Sequence, residues 1–416
     1  MNMFGFLERF VVGYDLSTEY AQISYMQMQD NMPVTVTLTD GKEDFCVPTC
    51  LFKRKEVNQW FYGREAQNYS IAEEGTMIDN LWEHALVGDK LRIEDDEFDH
   101  VALLTLFVKR SLALLRNVPK DKISGIMFSV PDLTKRAIEV LETVCSMLGL
   151  NGAGTFFEGR DESVFYYVIH QQKELWKQDV LVYDFSGRNL RGYRFSVNRN
   201  SKPQVSVVDE RIHSVIRDDI NKDGEFLEII NEDTQNGVVS GAFLIGSGFE
   251  EDWCHDSLKE LCRGRRVFRG NNLYSKGACY AAREKLVDSD MNQSLIFLGK
   301  DKLRANIGMK VMKVGSESYF AILDGGESWY DAKKEFDIII DKGNSFEIIV
   351  TPLDAKNVRE IEIVLDGLTQ RETKTTRLHM KVFMESENVL RVCATDMGFG
   401  EFFPTTYQLF TKQIQI

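Results

Sequence analysis

The sequence predicts an α/β region that ends near residue 294, followed by an all-β region. Up to that point, apolar runs typical of buried strands alternate with segments whose apolar residues recur every three or four positions, as in amphipathic helices. After residue 295, short alternating runs dominate and turn signals separate them, which is typical of a β-sandwich. A chain of 416 residues, 43% apolar and 27% charged, is also too long for one ordinary core.

The first predicted elements form a hairpin and a long helix. The apolar run Arg9–Thr18 predicts a buried strand that ends in a polar turn, and Tyr20–Tyr25 predicts its partner strand. Pro33–Leu38 alternates as a third strand does. Val101–Arg116 carries apolar residues at helical spacing. Ile123–Val130 predicts a further strand, and the helix after it is bounded by a capping aspartate and a glycine.

The rest of the α/β region continues the alternation of helices and strands. The predicted helices are Ser163–Glu174 and Asp252–Cys262, and Val207–Asn231 is predicted to be mostly helical. The predicted strands are Asp179–Asp184, its returning partner Leu190–Ser196, and Gly241–Gly246. This mixture indicates an α/β domain with hairpins at its sheet edges.

Six alternating runs predict the strands of the all-β region. They are Ser318–Leu323, Phe336–Ile340, Ser345–Val350, Glu360–Leu365, His379–Phe383 and Leu390–Ala394. Aspartate-glycine and lysine-glycine turns lie between them. Six strands with little helix among them favour a sandwich.

Charge and cysteine content exclude several classes of partner and location. The formal net charge is −14, so nucleic acid and anionic membranes, which attract cationic surfaces, are not expected as partners. Seven scattered cysteines do not form a disulfide framework in a chain of this size, which favours reducing cytoplasm. No apolar run is long enough to cross a membrane, so membrane insertion is not expected either.

Three turns after predicted strands could hold a phosphate through backbone N–H groups. They are Asp15–Thr18, Asp184–Arg188 and Gly246–Gly248. In the first two an aspartate ends a buried strand, so Asp15 and Asp184 could face each other across a cleft and hold Mg²⁺ through water. One such turn alone is weak evidence, because a capped hairpin has the same pattern and is commoner.

The order of these turns resembles the actin, heat-shock-70 and sugar-kinase superfamily, whose two phosphate motifs and adenosine motif occur in that sequence. Other segments resemble its DnaK-like branch: Cys46–Cys50 with Tyr62–Ala66, Ile126–Pro131, Arg160–Ser163 and Asn272–Ala282. In the all-β region, Leu365–Leu368 and Val382–Asp396 resemble strands of the chaperone substrate-binding domain. The resemblance covers about residues 9 to 403.

The resemblance implies an actin-like ATPase fold of two lobes followed by an all-β sandwich. Lobe I would span residues 1–172, a reduced lobe II 173–294, an interdomain linker 295–308 and the sandwich 309–416. ATP or ADP with Mg²⁺ would be the cofactor. Glu162 and Asp184 would be catalytic, Asp15 and Asp184 would hold the metal, and the nucleotide would contact Asp15, Ser17, Thr18, Ser186, Gly187, Arg188, Gly246, Ser247 and Gly248.

The sequence also departs from the family's pattern. Ser17 and Ser186 stand at positions where the family has glycine, which weakens a phosphate cradle because backbone must approach phosphate closely there. Arg188 could bind phosphate directly or fill the site, and the sequence leaves both open. His84 stands where the family has its catalytic lysine. From Asp184 to Gly246 the chain runs 62 residues, less than half of the family's length, and no helical lid is expected after the sandwich.

These departures favour a non-catalytic scaffold or nucleotide sensor whose β-module binds a polypeptide. In the family the peptide lies between sandwich loops that match residues 314–318 and 341–345, and Phe320, Ile322 and Ile339 could line its apolar pocket. The alternative for these three side chains is the sandwich core. A working Mg-ATPase that uses Asp15, Asp184 and Glu162 is the alternative function, and a small-molecule kinase is disfavoured because such relatives carry no chaperone-like sandwich.

Overall fold

The computed structural model divides the chain into two units, Met1–Ile296 and Phe297–Ile416. It describes residues 8–39, 43–150, 154–186, 189–200, 203–213, 221–235, 237–287, 294–313, 315–353 and 357–416. The division falls inside the segment predicted as a linker, 295–308. Both ends of that segment lie in strands, Leu295–Phe297 and Ala305–Lys313, so only residues 298–304 lie between strands.

The first unit contains both helices and strands. Its strands are β1 (Phe10–Leu16), β2 (Tyr20–Gln27), β3 (Val34–Thr35), β4 (Val47–Pro48), β5 (Leu51–Arg54), β6 (Trp60–Tyr62), β7 (Gly75–Ile78), β8 (Lys90–Ile93), β9 (Asp96–Asp99), β10 (Ile123–Val130), β11 (Gly154–Gly159), β12 (Asp179–Asp184), β13 (Leu190–Asn198), β14 (Gln204–His213), β15 (Val239–Ile245), β16 (Arg266–Arg269) and β17 (Leu295–Phe297), whose last residue is the first of the second unit. Its helices are α1 (Gly63–Ala72), α2 (Leu81–Val87), α3 (His100–Leu112), α4 (Lys135–Leu148), α5 (Arg160–Ile169), α6 (Lys222–Gln235), α7 (His255–Leu261) and α8 (Leu273–Leu286).

Two sheets of the first unit repeat one strand arrangement. The first has the order β11-β10-β1-β2-β3, with β4 also paired to β2, and the second has the order β16-β15-β12-β13-β14-β17. In each sheet an opening strand (β1 or β12) pairs antiparallel with the next strand and parallel with a later one. Asp15 and Asp184 therefore stand at equivalent positions near the carboxyl ends of the two opening strands.

Helix α8 packs against β1 and α5 at unusually short distance. A Cβ atom on Gly13 would lie 2.1 Å from the carbonyl oxygen of Ser275 and 2.3 Å from the amide nitrogen of Cys279. A Cβ atom on Gly277 would lie 2.0 Å from the carbonyl oxygen of Ser163. Glycine at both positions lets backbone approach backbone, which positions α5 and α8 beside the end of β1.

Gly13→Ala is expected to destabilise the first unit by about 1–3 kcal/mol, because the new methyl group collides with backbone that cannot rotate away. The thermal unfolding midpoint of the full chain checks this. Gly270→Ala is the matched control: no atom lies within 4 Å of a Cβ built there, so its effect should stay within about 0.5 kcal/mol. Equal midpoints for both variants would contradict the close packing.

One segment of this unit that was predicted to be mostly helical begins as a strand. The segment Val207–Asn231 was expected to be mostly helical, but Gln204–His213 forms β14 and pairs along its length with β13. The valine-rich run at the start of β14 alternates between the two sheet faces, and β-branched residues favour that setting. Helix α6 begins only at Lys222, and residues 214–220 lie outside the described residues.

The second unit is built from strands: β18 (Ala305–Lys313), β19 (Ser316–Leu323), β20 (Lys333–Ile340), β21 (Ser345–Pro352), β22 (Arg359–Val364), β23 (Thr376–Ser386), β24 (Val389–Asp396) and β25 (Leu409–Gln415). They form two four-stranded sheets, β19-β18-β21-β22 and β20-β23-β24-β25. All described pairings within these sheets are antiparallel. The six predicted strands lie within β19 to β24, and β18 and β25 are additional. Among the helices of the described residues, none combines the length and apolar composition needed to cross a membrane.

Candidate functional site

A cleft of about 1020 Å³ lies in the first unit where the opening strands of its two repeated sheets end. Its lining includes the predicted residues Ser17, Thr18, Asp184 and Ser186. The cleft also contains Arg160, the first residue of α5. The turns after β1 and β12, predicted from sequence as two phosphate-binding turns, thus open on the same cavity.

Asp15 is fully buried and paired with an arginine. Arg160 donates from Nε to Oδ1 and from Nη2 to Oδ2 of Asp15, both at 2.9 Å. This two-pronged bond matches the planar guanidinium to both carboxylate oxygens. The guanidinium carbon also lies 4.4 Å from the ring centroid of Tyr274 and 5.7 Å from that of Tyr20, so aromatic faces enclose the cation.

Asp184 is held by three donors. Tyr274 donates its hydroxyl to Oδ2 at 2.7 Å, and the amide of Ser186 donates to Oδ1 at 3.0 Å. The hydroxyl of Ser186 also donates to Oδ1. Nη1 of Arg160 lies 3.9 Å from Oδ2 of Asp184. The guanidinium of Arg160 therefore stands between the two carboxylates.

Burial and charge shift the proton equilibria of this group. Burial raises the pKa of Asp15, and the neighbouring Arg160 opposes that rise. Burial alone would lower the pKa of Arg160, but Asp15 and the nearby tyrosines bring it well above its ordinary value. Burial, together with the charge of Asp184, raises the pKa of Tyr274 well above 10.0. Arg160 thus stays cationic and Tyr274 stays a neutral donor.

The two aspartates do not fit a directly bound Mg²⁺ in this arrangement. Magnesium takes carboxylate oxygens at about 2.0–2.1 Å in near-octahedral geometry. Both oxygens of Asp15 accept bonds from Arg160, and both oxygens of Asp184 accept bonds from Tyr274 or Ser186. Direct binding of Mg²⁺ would have to displace these donors, whereas the binding through water that the sequence predicts stays a prediction.

Ser17 and Thr18, in the first phosphate-type turn, are bonded within the protein. Ser17 donates its hydroxyl and its amide to the carbonyl oxygen of Tyr20, each at 2.9 Å. Thr18 donates its hydroxyl to Glu83 at 3.2 Å. Gly187 and Arg188 lie outside the described residues.

The predicted adenosine turn packs against the turn after β12. Gly248 donates its amide to the carbonyl oxygen of Phe185 at 2.8 Å, and Gly246 donates its amide to Asn271. A Cβ atom on Gly246 would lie 2.5 Å from the amide nitrogen of Ser186, and the φ angle of Gly246 is +97°. Glycine is thus required there by the contact between two turns. Ser247 is exposed, and none of these three residues lines the described cleft.

Two further predicted residues are not among those that line the cleft. Glu162 is buried in the first turn of α5 and is not among the residues that line the cavity. His84, expected in place of the family's catalytic lysine, lies beside Asp89 and stacks on His100. Its neighbour Glu83 lines the cleft instead, because adjacent helical residues point in directions about 100° apart.

The residues that sequence reasoning missed are Arg160, Tyr20 and Tyr274. Arg160 was read only as part of the segment Arg160–Ser163, and Tyr274 only as part of a closing helix. Both reach the aspartates from elements far away in the chain. A charged residue directly after the buried strand β11 was the one local signal that could have identified Arg160.

The three predicted peptide-binding side chains do not form one surface of the second unit. Ile322 belongs to the core, with 4% of its surface exposed, whereas Ile339 is 52% exposed. Phe320 is half-buried; its ring centroid lies 5.0 Å from that of Phe336, and Lys334 lies over its face. The core alternative thus holds for Ile322. Val314, in the first predicted peptide loop, lies outside the described residues.

Comparison with known proteins finds two family models that follow each other along the chain. The C-terminal model of a family of unknown function (DUF5716) matches residues 32–300. A model of a domain of unknown function (DUF8552) matches residues 302–416. No curated protein matches the chain.

Proposed function

The chain belongs to the family of unknown function DUF5716, and we propose that it is a non-hydrolysing, actin-like and heat-shock-70-like protein whose second unit binds a polypeptide. Its first unit acts as a scaffold or as a sensor of a ligand in the cleft. The observation that carries this proposal is the guanidinium of Arg160 between Asp15 and Asp184.

The internal cation makes a metal-dependent reaction unfavourable. In phosphoryl transfer, metal ions bridge the phosphate oxygens and neutralise developing charge. For Asp15 to bind a metal, Arg160 would have to leave a buried, two-pronged pair, and breaking a buried pair costs about 3–5 kcal/mol. The first unit thus carries its own positive charge in the place of an exchangeable metal.

The charge of the cleft also disfavours a metal-free polyphosphate. Glu19, Glu83, Asp132 and Asp184 line the cavity. The two arginines among the described lining residues are already paired, Arg160 with Asp15 and Arg191 with Glu210. Among these described residues, a triphosphate without Mg²⁺ would meet more carboxylates than guanidinium groups.

The two-lobe reading is supported by the repeated strand order of the two large sheets. Asp184, at the end of β12, lines the cleft, and the equivalent Asp15 in β1 is buried and bonded to the lining residue Arg160, an arrangement that suits a former nucleotide site. All seven cysteines are free thiols, which supports the proposed reducing, cytoplasmic setting.

Polypeptide binding by the second unit is supported by apolar side chains near its C-terminal edge strand. Phe399, Phe402, Tyr407 and Leu409 are exposed, Phe402 at 92%. In the described sheet, β25 pairs only with β24, so its other edge offers backbone groups to an extended segment. We propose this edge, rather than Phe320, Ile322 and Ile339, as the binding surface.

The alternative function is a Mg-ATPase in which Arg160 moves aside, and the size of the cleft favours it, because about 1020 Å³ can hold a nucleotide. Thermal unfolding with millimolar ATP and Mg²⁺ separates the two. We expect no rise in melting temperature and no release of phosphate, because ligand binding to the folded state would otherwise stabilise it. Release of phosphate together with such a rise, both abolished in Asp184→Asn and retained in the exposed second-unit variant Asp337→Asn, would establish the ATPase instead.

A further inference from the structure

We propose that His84, Asp89 and His100 form a binding site for a divalent transition metal of the zinc class. The site is separate from the cleft group of Arg160, Asp15 and Asp184, and the inference does not depend on the proposed function.

The three side chains converge from segments that are close in sequence. His84 lies in α2, Asp89 follows that helix, and His100 is the first residue of α3. Nδ1 of His100 lies 2.7 Å from Oδ1 of Asp89, and Nδ1 of His84 lies 3.3 Å from Oδ2. One ligand atom from each residue lies within 4.8 Å of the others. Tetrahedral zinc ligands lie about 3.4 Å apart, so small shifts bring the three atoms to bonding distance.

The donor set has the chemistry of a transition-metal site. Two imidazole nitrogens and one carboxylate bind Zn²⁺ in many enzymes, with water completing the shell, and the same set binds non-haem iron. Calcium and magnesium prefer oxygen donors, so the two imidazoles select against them. Asp89 and His84 are 45% and 42% exposed, which gives an ion a path from solvent.

Metal binding requires one movement. The rings of His84 and His100 are stacked, with centroids 4.5 Å apart and planes 14° apart. An ion in the plane of one ring is therefore out of the plane of the other. His100 is buried, so the half-exposed ring of His84 is the one that turns. Nδ1 of His100 also lies 2.9 Å from the backbone oxygen of Asp89, and it gives up this hydrogen bond and its proton when it binds the ion.

A bound ion would fasten α2 to the beginning of α3 across the hairpin of β8 and β9. Trp82, Glu83 and Leu86 of α2 line the cleft. The metal would therefore stabilise one wall of the cleft without entering it.

Titration calorimetry of tag-free full-length protein with ZnCl₂, and visible absorption with Co²⁺, test the proposal. We expect one ion per chain and the absorption of tetrahedral Co²⁺. His84→Ala and Asp89→Asn should each weaken Zn²⁺ binding by at least roughly tenfold. Circular dichroism verifies that these variants, altered at half-exposed positions, remain folded.

His379→Ala is the matched control, because His379 also lies beside carboxylates, Asp337 at 2.8 Å and Glu335 at 3.9 Å, in the second unit. It should leave the affinity unchanged. Absence of Zn²⁺ binding, or equal affinity in the His84 and Asp89 variants, would overturn the proposal and leave these residues as a hydrogen-bonded stack. Loss of binding in the His379 variant alone would likewise overturn it and move the site to the second unit.

Discussion

Arg160→Ala is expected to destabilise the first unit by about 3–5 kcal/mol at neutral pH, because it leaves a buried carboxylate without its cation. Asp15 has no exposed surface, and both of its oxygens accept bonds from Arg160. Arg160→Lys should lower the free energy of unfolding by less, since lysine keeps the positive charge but not the two-pronged hydrogen bond.

The loss should depend on pH in a defined direction. Burial already raises the pKa of Asp15, and removal of Arg160 removes an influence that lowers it. In the variant the folded state favours the neutral carboxyl, so the penalty appears as pH rises above the unfolded value of about 3.9. The variant and the wild type should therefore converge in stability as the solution is acidified.

Urea unfolding of the full chain, followed by hydrogen exchange of amides in β1 and α5, measures this effect. Arg263→Ala is the matched control. Arg263 is 72% exposed and pairs with Glu260, so this substitution should change the free energy of unfolding by no more than about 0.5 kcal/mol. Millimolar Mg²⁺ should restore part of the stability of Arg160→Ala and none in the wild type, since only the variant exposes two carboxylates to a cation. Wild-type stability in Arg160→Ala at neutral pH would refute the internal-cation interpretation.

Asp396→Asn is expected to destabilise the second unit by about 3–5 kcal/mol, because it leaves the guanidinium of Arg371 buried without its carboxylate. Arg371 donates to both oxygens of Asp396 at 2.7 Å. The amide of Gly398 and the hydroxyl of Thr406 donate to the same carboxylate at 3.0 and 2.6 Å. One carboxylate thus organises the loop between β24 and β25, which carries the exposed Phe402.

The same group predicts acid sensitivity of the wild-type protein. Although burial raises the pKa of Asp396, the bonds from Arg371, Thr406 and Gly398 lower it more, to well below its ordinary value. A carboxyl with a lowered folded pKa contributes stability above its unfolded value and loses it on acidification. Protection of the second unit should therefore fall as pH drops below about 4.

Hydrogen exchange of amides in β24 and β25 reports this unit separately. In Asp396→Asn these amides should exchange much faster at neutral pH, and the variant's profile should lose most of the acid dependence. Asp337→Asn, which alters an exposed carboxylate bonded to His379, should match the wild type. Unchanged protection in the Asp396 variant would show that the loop does not depend on this pair.

Local patterns allowed about half of the strands to be predicted, because alternation in a strand depends on neighbouring residues. The six predicted strands of the second unit lie in β19–β24. The same reasoning was wrong for β14, where a charged end of the strand, Asp209–Arg211, obscured the alternation before it. Short or irregular strands were missed as well: β4–β9, β11, β16 and β17 in the first unit, and β18 and β25 in the second, where the predicted linker covered the first residues of β18.

By itself, the sequence determined about half of the strands, the two-part division, and the positions of Asp15 and Asp184 at strand ends, since these depend on periodicity and turn residues along the chain. Tertiary structure decided what those aspartates contact. Arg160 and Tyr274 reach them because the close packing of α8 on β1 and α5 brings distant segments together. The spacing of residues in the sequence does not show which cation lies between two buried carboxylates. That depends on how closely the backbone segments pack and on which side chains are long enough to contact the carboxylates.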